Sequence, residues 1–238
     1  MTKEFERAKP AKKKRLARYH IDRFILSAAC QIEPMAFLLD AGAGNCKHKS
    51  FFPRARYVGL DLSPPRKRRY GEIEIGGNLY NLPFRENSFD ASLNVEVLEH
   101  LKEPKEALRE IFRVLKPGGK LFLIAPQAWE EHGVPEDYWR FTSFGLRYLF
   151  AAAGFEVSSI EPLGGYFAYI GQFISVSYRY LFPTERRLFL KILDAPFRHP
   201  ARLLLRTLIP QLCFYLDRLD KRRSFTLNYG CICTKPLR

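Results

Sequence analysis

An α/β fold on a parallel sheet is predicted by three features of this 238-residue sequence. Strand-like and helix-like segments alternate, two successive apolar runs each end in an aspartate, and one helix carries a sharp apolar stripe. Residues 12–30 read as a first helix with Ala17, Ile21, Phe24, Ile25 and Ala28 on one face. The run "FLL" then gives a strand ending at Asp40, and "YVGL" a second ending at Asp61. In an open parallel sheet ligands bind beyond the carboxyl ends of the strands, so the two acids are expected to share one crevice.

The next connection, "SPPRKRRYGE", is too short and proline-broken for a crossover helix, and "EIEIGG" reads as a small third strand. A fourth strand follows around Ala91 to Val95. In "EPKEALREIFRVLKPGG" Pro104 suits a first helical turn, Ala107, Leu108, Ile111, Phe112 and Leu115 form the stripe, and Lys116-Pro117-Gly118-Gly119 stops it. "KLFLIAP" is the fifth strand, "TSFGLRYLFAAAGF" a helix, Phe155 to Ile160 the sixth strand, and "SFTLNYGCICTKP" contains the last. About sixty residues separate those final two strands, far beyond an ordinary connection of a few residues. Within them, "YFAYIGQFISVSYRYLF" and "ARLLLRTLIPQLCFYLDRLDKRR" read as aromatic, basic-ended helices at a membrane interface or partner surface, not as membrane spans. The expected organisation is a basic arm and helix over 1–34, a nucleotide-binding domain over 35–162 plus 224–238, and a helical insertion over 163–223.

A formal charge of +14 favours anionic partners, either nucleic acid or an acidic membrane surface. The five cysteines have neither zinc-finger spacing nor the even number of a disulfide framework, which points to a reducing, cytoplasmic setting. The basic N-terminus is not followed by the apolar core and cleavage site of a secretory signal.

The turn "DAGAGN" raises the question of which nucleotide it serves. Lys47 stands where a dinucleotide fingerprint needs glycine or alanine, so the loop is not built for a pyrophosphate. The ordered series "LLDAGAGN", "YVGLDLS", "LPFRENSFD", "LEHL", "LREIFRVLKPGGKLFLIAP" and "YWRFTSFGLRYLFAAAGF" resembles the class I S-adenosylmethionine-dependent methyltransferases, over Met35 to Val157 and the final strand. The resemblance is to their broad small-molecule type 11 subgroup. It implies a Rossmann-like seven-stranded sheet, the last strand antiparallel beside the fifth, here with a helical insertion between the last two strands. It also implies S-adenosyl-L-methionine as cofactor, a ligand with an ammonium, a carboxylate, a sulfonium and a ribose but no pyrophosphate.

The resemblance gives the cofactor residues their roles. Gly42 and Gly44 let the backbone approach the amino-acid portion, and Asp40 favours its ammonium directly or through water. Asp61 is placed to accept from the ribose hydroxyls; otherwise it caps the turn before Ser63-Pro64. Asn78 stands where the family often has an acid near the adenine and can both accept and donate there, with Leu79 lining the base and Asn94 offering its backbone.

The loop "QAWEEHGVPEDYWRFT" follows the fifth strand on the ligand side, and His132 is its candidate general base, with His100 a second; each has a plain structural reading beside it. Trp129 and Trp139 are expected to pack the loop. The insertion leaves from the same strand ends, which favours O-methylation of a small-molecule, lipid-linked or saccharide acceptor near an anionic membrane; the same helices would also suit an oligomer interface. RNA is the alternative acceptor, on the runs "AKKKR", "RKRR" and "KRR", although the fourth strand lacks the Asn/Asp-Pro-Pro-aromatic motif of base-amino methylation. A noncatalytic membrane-associated scaffold is the third reading.

Overall fold

The computed structural model describes residues 16–62, 66–68, 71–183 and 188–237. The basic arm and the start of the first helix lie outside them. The described residues divide into two compact units, one over Arg23–Glu161 with Asn228–Arg238, the other over Pro162–Leu227 with the stretch ending at Asp22.

The first unit is a seven-stranded sheet. Its strands are β1 (Phe37–Ala41), β2 (Arg56–Asp61), β5 (Ile75–Gly76), β6 (Phe89–Val95), β7 (Leu115–Pro126), β8 (Glu156–Leu163) and β9 (Asn228–Thr234), in the order β5-β2-β1-β6-β7-β9-β8. The β1 strand pairs in parallel with β2 and β6, Asp40 lying level with Gly59 and Leu93, so the acid-bearing strand ends emerge together. Strand β9 runs antiparallel to β7, as the resemblance implies.

The expected third strand is divided. Gly71–Ile73 (β4) pairs with Arg66–Arg68 (β3) in a separate two-stranded ribbon, and only β5 joins the main sheet. Glu74 marks the division: its backbone N–H donates to Gly59 O, while its carboxylate accepts the Gly59 N–H at 2.6 Å and pairs with Lys49. A side chain thus takes a donor that a longer strand would have paired.

Helix α1 (Leu16–Ala29) buries Ile21, Phe24, Ile25 and Ala28, and α2 (Pro104–Val114) buries Ala107, Leu108, Ile111 and Val114. Leu115, expected on the α2 stripe, is instead the first residue of β7, because the chain turns to extended backbone there. Phe112 packs edge-on against Phe155 at 5.1 Å. Helix α3 (Ser143–Ala152) starts at Thr142, whose hydroxyl accepts the Gly145 N–H. Arg113 donates to the Leu82 and Phe84 carbonyls while Glu110 accepts the Leu82 N–H, which fastens the loop after β5 to α2.

The second unit contains α4 (Tyr166–Leu181), α5 (Leu188–Leu203), a π turn over Leu204–Leu208 and α6 (Ile209–Leu216). The sequence reading did not identify α5, whose Pro196 and Pro200 mask the helical pattern. Helices α4 and α6 approach closely at Gly171, where an added Cβ would meet Cys213 Cβ at 2.7 Å. No helix among the described residues is long and apolar enough to cross a membrane. The α4 amino end is held by Asp217, 4% exposed, whose carboxylate accepts the Gly165 and Ala168 N–H groups. Replacing it strands buried helix-end donors, so Asp217→Ala is expected to destabilise this unit by about 2 kcal/mol. Urea unfolding measures this, and a loss within about 0.5 kcal/mol, the scatter of an ordinary surface substitution, would contradict it.

Candidate functional site

At the carboxyl ends of β1 and β2 the chain builds a left-handed turn. Gly42 and Gly44 have φ of +91° and +56°, and the Gly42 and Ala43 N–H groups both donate to Leu60 O. A Cβ on Gly42 would stand 2.6 Å from Val97 Cγ2, so the segment after β6 presses on this turn. A Cβ on Gly44 would meet nothing within 4 Å, so that side of the turn is open to a ligand. The Gly44 N–H donates to Asp61 Oδ2 at 2.8 Å, tying turn to second acid. Asp61 is only partly buried.

Asp40 was expected to act on the cofactor ammonium directly or through water, and it lies inside the protein. It is 1% exposed and accepts a hydrogen bond from Tyr57 Oη. Burial pushes its carboxyl up to about 7, partly opposed by Tyr57 and by the nearby Lys47 ammonium. Any influence on a ligand ammonium therefore passes through the turn or a water.

Asn78 is exposed, but its side-chain oxygen accepts the Tyr80 N–H at 3.0 Å. That oxygen takes part in a local turn, which leaves its second lone pair and the amide NH₂ free to face outward. Leu79 is buried at 8% exposure beside it. Asn94 is fully buried, its amide donating to Ala41 O at 2.8 Å, and so links β6 to β1; its side-chain oxygen has no partner.

The loop after β7 gathers on the segment after β6. The Tyr138 N–H donates to Glu99 O, and Trp139 Nε1 to Leu101 O, so Trp139 ties the loop down through its indole nitrogen while its ring stays exposed. Arg140 grips Asp137 through two nitrogens and holds its carboxyl well below the usual range, while Asp137 Oδ2 accepts the His132 N–H at 2.9 Å. His132 Nδ1 lies 3.1 Å from Glu130 O, its Nε2 lies 3.8 Å from Glu99 Oε1, and its ring meets His100 edge-on at 4.8 Å. The structure thus brings both candidate histidines together around Glu99. Sequence reasoning passed over Glu99 as part of a link into the next helix, and the burial that marks it leaves no signal in the sequence. Glu99 is fully buried, neither carboxylate oxygen has a hydrogen-bond partner, and burial pushes its carboxyl up to about 8.

A cavity of about 420 Å³ lies at the opposite strand ends, lined by Gln31, Met35, Asp90 and Lys120 among others, away from these groups. The five cysteines form no disulfide.

The sheet order, glycine turn and strand-end acids define a Rossmann-like nucleotide-binding domain without a dinucleotide loop. Residues 39–123 match the family described as a methyltransferase domain, the class that the ordered sequence motifs resemble. It is 35% identical over 100 residues to the tRNA (carboxymethyluridine(34)-5-O)-methyltransferase of Arabidopsis thaliana, covering 40% of this chain and 25% of that protein. It is 52% identical over 91 residues to the demethylmenaquinone methyltransferase of Renibacterium salmoninarum, covering 35% and 38%. The match thus spans about a quarter to two fifths of these curated relatives. Among solved structures, the Burkholderia thailandensis 1,6-didemethyltoxoflavin-N1-methyltransferase with bound S-adenosylhomocysteine aligns with a TM-score of 0.55 at 16% identity, over 91% of this chain and 78% of that one, a likeness of fold.

Asp40 yields a pH prediction. Its carboxyl rises from 3.8 to about 7 on folding, so the fold favours the protonated form. The stability it contributes is complete below about pH 4 and is lost as pH rises through about 7. Asp40→Asn is expected to flatten the fall in urea stability across that window, and an unchanged slope would contradict this assignment.

Proposed function

We propose that the chain transfers the methyl group of S-adenosylmethionine to an oxygen of a small, lipid-linked or saccharide acceptor at an anionic membrane surface. The observation that carries the cofactor part is the Gly44–Asp61 hydrogen bond beside an open turn, which sets a backbone loop and a carboxylate at adjoining strand ends. When bound there, the cofactor supplies a methyl group on a positively charged sulfur. The residues present fit its other groups. Asp61 accepts from ribose hydroxyls, the Asn78 amide donates toward the adenine beside Leu79, and Gly42 and Gly44 admit the amino-acid end. A cationic ligand above Asp40 would draw its carboxyl back toward ionisation. Asn94 serves beneath, holding the two strand ends level.

Methyl transfer gains most of its speed from holding the two reactants in line at near-attack distance. His132 is the group we place at the acceptor's nucleophile, because its loop leaves β7 on the same side as the glycine turn.

The membrane part rests on the second unit taken by itself. Phe197, Leu203, Leu204, Leu208, Leu212 and Tyr215 are exposed, and Arg202, Arg206 and Arg218 lie among them. Exposed apolar side chains set among arginines suit the headgroup boundary of anionic lipid. The tRNA-modifying relative makes RNA the second acceptor class, served by the same +14 charge. A scaffold without activity would have no need of the open glycine turn and Asp61.

Asp61→Ala is expected to weaken S-adenosylmethionine binding by about 10- to 100-fold in calorimetry, the loss of charge-assisted hydrogen bonds. Absence of binding to the folded wild-type chain would sink the enzyme reading. Incubation with methyl-labelled cofactor and fractionated lipid, RNA and small-molecule pools is expected to label the lipid or small-molecule pool, and label confined to RNA would reverse the choice. Flotation on anionic but not neutral liposomes is expected, and equal partition between the two would remove the membrane part.

A further inference from the structure

We propose that Glu99, His100 and His132 bind a divalent transition metal ion, zinc being the best match to the donor set. One donor atom from each of the three lies within 4.8 Å of the others, and Glu99 Oε1 and His132 Nε2 are already 3.8 Å apart. Donors around one tetrahedral ion at about 2.1 Å sit roughly 3.4 Å from each other, so side-chain adjustments of an ångström or so complete the site.

Two further observations point to an ion. The first is Glu99 itself, fully buried, with both carboxylate oxygens lacking a hydrogen-bond partner on any other described residue and one of them turned toward His132. A buried carboxylate is retained where something satisfies it, and a cation does so for both oxygens. The second is the outer contact of each ring. His132 Nδ1 lies against Glu130 O and His100 Nδ1 against Glu136 O. Since a carbonyl only accepts, each Nδ1 carries the proton and each Nε2 keeps its lone pair. Histidines that bind metals are held in this way, the far nitrogen donating to a carbonyl or carboxylate. Arg140 and Asp137 fix the loop that delivers His132, so the third ligand is positioned before any ion arrives.

Two imidazoles and one carboxylate leave a fourth position on zinc open. The cluster follows the carboxyl ends of β6 and β7, the side on which the glycine turn follows β1. Resting on the methyltransferase reading above, that open position takes an oxygen of the acceptor, and His132 acts there as a ligand. This favours acceptors with a hydroxyl or carboxylate oxygen beside the methylated position.

Zinc or cobalt(II) titration of the chelator-treated full chain tests this. One equivalent of zinc is expected by calorimetry, with a visible cobalt spectrum of low coordination number and no thiolate charge-transfer band from Cys30 or another cysteine. Glu99→Gln and His132→Ala should each weaken binding by about tenfold or more, with His100→Asn as a milder third variant. Circular dichroism and S-adenosylmethionine binding are followed in parallel, so a folded variant that still binds cofactor reports on the metal alone. No saturable binding to the wild-type chain, a thiolate band, or affinity unchanged in folded Glu99→Gln and His132→Ala would each overturn the proposal. Loss of cofactor binding by the wild-type chain with zinc binding intact would instead strike only at the methyltransferase reading.

Discussion

The hydrogen bond from the Gly44 N–H to Asp61 is the constraint on which the nucleotide site depends. It joins the loop leaving one strand to the acid ending the next, and it works only because β1 and β2 run parallel in matched register, Ala41 level with Leu60. The left-handed backbone at Gly42 and Gly44 brings that N–H to the carboxylate. Val97 fills the space under Gly42, so the third strand end is fixed by the same turn. A side chain at Gly42 would push against both its own backbone preference and the wall behind it.

From there the histidine cluster follows by continuity. The segment that supplies Val97 goes on to Glu99 and His100, and the loop from β7 folds over it through the Tyr138 N–H and Trp139 indole. Asn94, beneath, bonds Ala41 and keeps β6 level with β1. Glycine turn and histidine cluster are therefore two outlets of one set of strand ends, and their placement is set by sheet register more than by loop conformation.

Much of this was legible in the sequence because the signals were local. Asp40 and Asp61 each end an apolar run, and the α2 stripe closes at a Lys-Pro-Gly-Gly stop. What was not legible depended on pairing between distant segments. Nothing in "EIEIGG" tells that Glu74 will answer the Gly59 amide and split the strand. Nothing near Asp40 tells that Tyr57, one strand away, will cover it, nor near Asn78 that Tyr80 will engage its oxygen. Helix α5 was missed for another reason: its two prolines lower helix propensity and break the helical pattern. Glu99 was unreadable because its importance lies in burial, which no residue type announces.

Asp40 and Glu99 are both carboxyls taken out of water, and they differ in what offsets the cost. Asp40 has a hydroxyl donor and a cation nearby, so part of its desolvation cost is offset inside the protein. Glu99 has neither oxygen hydrogen-bonded, and Arg140, the cation that lowers its carboxyl, is engaged with Asp137. A buried polar group left so is worth several kcal/mol of lost stability when charged. A shape-matched apolar residue at position 99 would remove that cost, so the fold alone gives no reason for an acid there. The two imidazoles beside it make the same point from the other side: backbone carbonyls lie against the Nδ1 atom of each ring, and His132 turns its other nitrogen to within 3.8 Å of Glu99 Oε1.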